Sequence, residues 1–223
     1  MKQTSPTASR SVDPARAEDP EAVARSVRAM FAQIAHRYDF LNHLLSFSVD
    51  KLWRRRTARH LAPILCHKDA RVIDLCCGTG DLTLELARHT AGFVIGSDFC
   101  HPMLEIGARK ATGSRNTALV ESDALALPFA DAAFGLVTAA FGFRNLADYR
   151  KGLAEMHRIL PRVGRHVSGV AGPYDYLPNS VESFPDQRQL AELMQQAGFD
   201  EVSYQNWTGG IVALHTGVKA KAG

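Results

Sequence analysis

Apolar and polar positions along this chain follow two periods. Val72-Ile73 with Leu75, Phe93-Val94-Ile95, Ala118-Leu119-Val120 and Phe134 to Ala140 are short apolar runs. Their length and branched side chains are those of strands buried on both faces. Between the runs, apolar residues fall at helical spacing. Leu82, Leu84, Leu86 and Ala87 follow the first run, and Pro102 to Lys110 the second. After the fourth, Tyr149, Leu153, Met156 and Leu160 mark a helix that stops before Pro161. Strand and helix in alternation predict an α/β fold with a doubly wound, mostly parallel sheet.

Both ends depart from that alternation. Asp19-Pro20-Glu21 has the capping acid, first-turn proline and early carboxylate of a helix start, and Val23, Val27, Met30 and Ile34 make one apolar stripe. The mixed polar and aromatic segment His36 to Asn42 is expected to interrupt that helix, and a second is expected from about Asp50 to Leu61. From Pro161 to Phe184 glycine, proline and serine dominate and no strand is predicted. Asp186 caps a helix through Gln196, with Gly198 just past its end. Phe199 to Tyr204 and Gly210 to Val218, joined by Thr208-Gly209-Gly210, predict an antiparallel hairpin. Residues 1–18 lack periodicity and are expected to be a disordered tail. Residues 19–223 form one domain: a helical lid over 19–63, then a cofactor-binding core with the hairpin over 64–223.

Composition narrows the function classes. Hydrophobic residues make up 46% and charged residues 22%, as in a soluble globular protein. A net charge of +3 gives no reason to expect nucleic acid, and Arg54-Arg55-Arg56 is expected to be a solvated helix face. No apolar run approaches the ~18–20 residues of a membrane span, and the N-terminus lacks the apolar segment of a secretory signal. Cys66, Cys76, Cys77 and Cys100 lack metal-site or redox-pair spacing, so no metal is expected and the thiols fit a reducing cytoplasm.

The chemistry concentrates in Arg71 to Asp81. A strand breaks into a turn through Gly78 and Gly80 and re-enters as a helix, which brings backbone N–H groups to one crevice. A dinucleotide fingerprint needs a third glycine, and here Asp81, Leu82 and Thr83 occupy that place. Acids at both ends of the turn, Asp74 and Asp81, suit a cationic ligand better than a pyrophosphate. S-adenosylmethionine, with its sulfonium and ammonium, fits better than NAD. Asp98 lies at the second strand's end, where an acid can take both ribose hydroxyls. Asp123, one strand further, can accept from the adenine amine, and the Ala124 N–H can donate to the ring.

These residues carry a family resemblance. Asp74-Leu-Cys-Cys-Gly-Thr-Gly-Asp81 resembles the first motif of class I methyltransferases. Tyr38-Asp-Phe-Leu-Asn42 with Ser46 and Trp53, Phe141-Gly-Phe-Arg-Asn145, Phe184-Pro-Asp-Gln187 and Thr208-Gly-Gly-Ile-Val-Ala-Leu-His215 are similar to signatures of the ubiquinone/menaquinone C-methyltransferases. The resemblance implies C-methylation of a polyprenylated quinol by S-adenosylmethionine, with Thr79, Asp98, Asp123 and Ala124 as cofactor contacts beside Asp74, Gly78 and Gly80. Ala35-x-Arg37-Tyr38-Asp39 and Asp50-x-x-Trp53-Arg-Arg55 look more like the menaquinone branch than the ubiquinone-pathway branch.

The chemistry follows from that acceptor. A hydroquinone is nucleophilic at carbon once its hydroxyl ionises. Arginine, with a pKa above about 12, is a poor base, so Arg144 is expected to stabilise the phenolate beside Asn145. Water or a nearby Tyr38, Asp39 or His36 would relay the proton. Leu41, Leu44, Leu45 and Phe47 are candidates for an apolar wall along the prenyl chain. The protein would act in the cytoplasm, in transient contact with the inner face of the membrane, and a homodimer is compatible with the resemblance.

The resemblance breaks at one place. Family members continue from Arg-Ile/Val-Leu into a fifth strand and a further helix. Here Arg158-Ile-Leu160 runs straight into Pro161-Arg-Val-Gly164, which resembles the segment after that helix. Roughly 30 residues, the size of a strand and its crossover, are missing. The fourth strand is expected to lose a neighbour, leaving the sheet incomplete or filled by the final hairpin. Two further readings stay open: methylation of another small apolar acceptor, and a truncated protein that binds S-adenosylmethionine without turnover.

Overall fold

The computed structural model describes residues 20–46, 48–161, 166–171 and 184–219; the predicted tail and Asp19 lie outside them. Helices α1 (Pro20–Leu45), α2 (Val49–His60) and α3 (Ala62–Leu65) precede the sheet. Then come β1 (Arg71–Leu75), α4 (Asp81–Ala87), β2 (Phe93–Asp98), α5 (His101–Lys110), β3 (Thr117–Glu121) and β4 (Leu136–Ala140). A short 3-10 helix (Phe141–Asn145) leads to α6 (Tyr149–Ile159) and β5 (His166–Ala171). Helix α7 (Gln187–Gln196), β6 (Asp200–Trp207), a 3-10 turn (Thr208–Gly210) and β7 (Val212–Val218) complete the order.

The sheet has seven strands in the order β3-β2-β1-β4-β5-β7-β6. β1 through β5 pair in parallel, and β7 runs antiparallel to both β5 and β6. The doubly wound sheet with its antiparallel hairpin is therefore as predicted. One apolar layer lies on each face. Ile73, Leu75 and Val137 pack with Phe143, Leu153 and Met156 from α6 and the turn before it. Val72, Val94 and Leu136 pack with Leu82 and Leu86 of α4 and with Ala58, Leu61 and Leu65. The strand order reverses between β1 and β4. Parallel sheets bind ligands at such a point, beyond the carboxyl ends of the strands.

Two expectations are corrected. His36 to Asn42 does not interrupt the first helix, which continues to Leu45. The segment contains neither proline nor glycine, and Asp39 within it finds polar partners in Thr79 of the neighbouring turn and Lys110 of α5. The fifth strand position is not left open either. His166–Ala171, within a segment where no strand is predicted, pairs in parallel with β4 from Val137↔Val167 to Ala140↔Val170. Its other edge takes β7, from His166↔Val218 to Ala171↔Ala213. The unpaired ladder groups of β4 and β7 supply the reason: each needs a partner, and this segment meets both. Smaller shifts occur at strand ends, where β3 stops at Glu121 and β4 begins at Leu136.

A strand held on both edges should exchange its amides slowly. Native-state hydrogen exchange of the full chain should show His166–Ala171 protected to nearly the same free energy as β1. Exchange within seconds would mean that the position is open.

Candidate functional site

β1 ends where Cys76 takes a left-handed conformation (φ 52°), and Gly78 (φ 56°) and Gly80 (φ 79°) repeat it. This sequence of conformations reverses the chain tightly enough to start α4 at Asp81, and it suits glycine at two of the three positions. The turn is fastened to the next strand. The Gly78 N–H donates to Asp98 Oδ2 at 2.8 Å, and the Cys100 N–H donates to Oδ1 at 2.9 Å. Burial raises the Asp98 pKa, and these backbone donors oppose the shift.

A cavity of about 280 Å³ opens above these groups. Its wall brings together Tyr38 from α1, Gly78, Asp98, Asp123, Ala124 and Asn145. These six are among the residues that the sequence predicts for the site. A smaller recess shares Tyr38, Cys76 and Gly78 with the cavity and adds Asp74 and Thr79. Gly80 and Arg144 line neither. Arg144 is buried, and its carbonyl accepts from the Tyr149 hydroxyl at 3.0 Å. The side chains of Leu41, Leu44, Leu45 and Phe47 lie outside the described part of the structure.

The acids at the two ends of the turn do not face the cavity as free charges. Asp74 is buried, accepting from Thr83 Oγ1 at 2.7 Å and Thr138 Oγ1 at 2.8 Å. Burial pushes its pKa up to about 6, against the opposing hydroxyl bonds and the nearby Arg54 charge. Asp81 pairs with Lys110 and, at 3.4 Å, with Arg54. Arg54 also pairs with Asp50, a buried carboxylate that accepts from Ser46 Oγ at 2.7 Å. The expectation that Arg54 is solvated is thus corrected: opposite charges on both sides hold it against the protein, and only 11% of its side chain is exposed. Among the described residues, the carboxylates that line the cavity are Asp98, Asp123 and Glu21, and Lys151 is the one lining cation.

Lys110 at the end of α5 joins α1 to the turn. Its Nζ lies 2.9 Å from Asp39 Oδ2 and 2.9 Å from Thr79 Oγ1, besides pairing with Asp81. Thr79 Oγ1 donates to Asp39 Oδ1 at 2.5 Å. Apolar contacts reinforce the join, as Phe31 and Ala35 of α1 pack against Cys100 and Met103 at the start of α5. The Tyr38 ring meets Phe31 edge-on at 5.8 Å and stands over Gly78, where an added Cβ would lie 4.0 Å from it.

Sequence reasoning missed Cys76, Phe99, Met103, Ser122 and Gly142 in the cavity wall. Gly142 carries a recognisable signal, because it stands in the Phe141–Asn145 string. A Cβ there would lie 2.6 Å from Cys76 Cβ and 2.9 Å from its carbonyl oxygen, so the two segments approach this closely only with glycine. Lys110 carries no such signal, since its partners lie 29, 31 and 71 residues away in the chain.

An acid-lined cavity at the carboxyl ends of β1 to β3 fits a cationic, nucleoside-bearing ligand. Asp98 stands at the end of the second strand with its carboxylate already oriented by two N–H donors. No group of three or more His, Cys, Asp or Glu side chains that could hold a metal occurs among the described residues.

Known proteins agree with the geometry. The family model described as the ubiE/COQ5 methyltransferase family matches residues 20–167 and again 157–219. Residues 157–167 thus match two parts of the model, and they span the junction after Leu160. A demethylmenaquinone methyltransferase from Thermus thermophilus is 43% identical, covering 84% of this chain and 99% of that protein. One from Deinococcus radiodurans is 40% identical, covering 90% and 95%. That alignment runs over 235 positions, more than this whole chain of 223 residues can supply. A SAM-dependent methyltransferase from Aquifex aeolicus superposes with a TM-score of 0.62 at 18% identity, over 73% of this chain and 88% of that one. It shows the shared fold.

Lys110→Met should destabilise the chain by about 1 kcal/mol, the scale of a partly exposed ion pair. Its clearer sign should be faster proteolytic cutting within α1, read by limited digestion. The buried Asp74 sets a pH dependence. Its folded pKa of about 6 lies above the ordinary 3.8, so the folded state binds this proton more tightly than the unfolded chain. The resulting stability is complete below pH 3.8 and is lost as pH rises through about 6. Urea unfolding of Asp74→Asn should lack this fall between pH 4 and 7, which amounts to roughly 3 kcal/mol at most.

Proposed function

The chain belongs to the ubiE/COQ5 methyltransferase family, and on that premise we propose that it methylates a ring carbon of demethylmenaquinol. It is a C-methyltransferase, with S-adenosylmethionine as methyl donor. The observation that carries the reading is the Asp98 carboxylate, oriented by Gly78 and Cys100 within an acid-lined cavity. S-adenosylmethionine supplies an electrophilic methyl group on a positively charged sulfur.

The protein's own residues are assigned as follows. Asp98 accepts from the ribose hydroxyls, Asp123 accepts from the adenine amine, and the Ala124 N–H donates to the adenine ring. Asp74 and Thr79 act as positioning residues. Their side chains already bond to Thr83, Thr138, Asp39 and Lys110, and these bonds hold the Gly78–Gly80 turn. Asn145, in the cavity wall, takes the acceptor's hydroxyl. Arg144, next to it in the chain, contributes positive potential that favours the phenolate. Tyr38 relays the released proton to water. Holding donor and acceptor in line lowers the barrier without further chemistry from the protein. Among the described residues no helix is long and apolar enough to cross a membrane. From the class of its acceptor, we read the chain as a cytoplasmic protein that meets its polyprenylated quinol by transient contact with the membrane's inner face. Light scattering distinguishes a monomer from the homodimer that the family resemblance admits.

The double match of residues 157–167 favours a second reading. The donor half binds S-adenosylmethionine, while the rebuilt acceptor half does not support turnover.

Calorimetry should show S-adenosylmethionine binding that Asp98→Asn, which keeps an acceptor oxygen for the turn, weakens at least tenfold while circular dichroism shows the variant folded. Tighter binding of NADH would sink the methyltransferase assignment. Transfer of a labelled methyl group to a short-chain demethylmenaquinol should accompany binding. If transfer appears only in a chain with the roughly 30 missing residues restored, the second reading holds.

A further inference from the structure

Helix α2 carries Lys51, Arg54, Arg55, Arg56 and Arg59 against one acid, Asp50. Asp50 and Arg54 are taken up in the inner ion network. The remaining cations lie elsewhere on the helix. At about 100° per residue, Asp50, Trp53, Thr57 and Ala58 share the buried side, and Lys51, Leu52, Arg55, Arg56 and Arg59 share the opposite arc. Leu52 sits in the middle of that arc and is 56% exposed. None of the four outer cations has an ion-pair partner among the described residues.

The arc continues onto the hairpin. The Arg56 guanidinium lies 4.9 Å from the centre of the Trp207 ring, and Trp53 Nε1 donates to Thr208 Oγ1 at 3.0 Å. These contacts bring the Thr208–Gly210 turn alongside α2, and the next residue, Ile211, is 47% exposed. The face also adjoins the site. Trp53 packs with Phe141 and partly buried Ala140 at the carboxyl end of β4, and both of those residues line the recess beside the cavity.

We propose that the outer face of α2, together with Ile211, is a docking surface for an anionic lipid bilayer. The proposal rests on the quinol reading for its purpose, since a bilayer is where a polyprenylated acceptor would be found. Charge complementarity commits it to that occupant: four cations without acidic partners among the described residues surround one exposed leucine, and Ile211 is exposed just past the turn that meets α2. A basic helix face with apolar residues at its centre is the pattern of a surface-seated membrane helix. Nucleic acid would use the same cations and has no need for Leu52 or Ile211.

The test uses the full chain and sedimentation with vesicles of phosphatidylcholine containing 30% phosphatidylglycerol, against vesicles of phosphatidylcholine alone. Binding should require the anionic lipid and weaken as salt is raised. Arg55→Gln with Arg59→Gln should weaken it roughly 25-fold, about fivefold for each charge removed. Leu52→Ser with Ile211→Ser should weaken it further, and circular dichroism should show both variants folded. Equal binding to both vesicle types, or anionic binding untouched by either pair of substitutions, would overturn the proposal. So would binding of a tRNA probe through Arg55 and Arg59 with no vesicle binding. S-adenosylmethionine calorimetry and turnover of a water-soluble acceptor are run on the same samples. Failure of vesicle binding with those intact overturns the docking surface alone, whereas failure of S-adenosylmethionine binding overturns the enzymatic reading.

Discussion

The hydrogen bond from the Gly78 N–H to the Asp98 carboxylate joins the turn after β1 to the end of β2, and the cavity takes its shape from that join. A parallel sheet delivers each strand's carboxyl end to the same rim, but it does not fix the loops there. Asp98 does so by using one oxygen for Gly78 and the other for Cys100, the residue before α5. One side chain thereby orients a turn and a helix start. The cost is a carboxylate held in a buried place, visible in its raised pKa. Backbone donors make that burial tolerable, as they do for buried charges in general.

The acids near the site divide into three groups by environment. Asp74 is enclosed and bonded to two threonines, so it braces β1 against β4 and α4. Asp39, Asp50 and Asp81 balance Lys110 and Arg54 along the seam between the N-terminal helices and the core. Asp98, Asp123 and Glu21 face the cavity. Identical side chains thus serve as brace, fastening and lining, and only burial and partners distinguish them.

That division explains how much was legible in the sequence. Strands buried on both faces announce themselves through runs such as Val72-Ile73 and Phe93-Val94-Ile95, because burial demands continuous apolar residues. Acids at strand ends were also readable, and Asp98 and Asp123 do line one cavity. Asp74 and Asp81 were read as facing a cation, whereas their charges are met within the protein by Thr83, Thr138, Lys110 and Arg54. Such pairings are tertiary, and no local spacing records them. The same holds for β5. His166–Ala171 is interrupted by Gly169 and lies between Gly164-Arg165 and Gly172-Pro173 in the sequence, without a strong strand signature, and it becomes a strand because β4 and β7 each offer an unpaired edge.

Cys76 lies in the wall of the cavity that we propose for the methyl donor. The nucleophilic form of cysteine is the thiolate. Burial, and then the charges of Asp98, Asp74 and Asp123, push the Cys76 pKa well above its usual range. Burial and the same first two acids act likewise on Cys77. Both sulfurs therefore remain protonated at neutral pH and react poorly with electrophiles. On the proposed assignment, burial together with the carboxylates that would meet the cationic donor keeps these thiols from being alkylated.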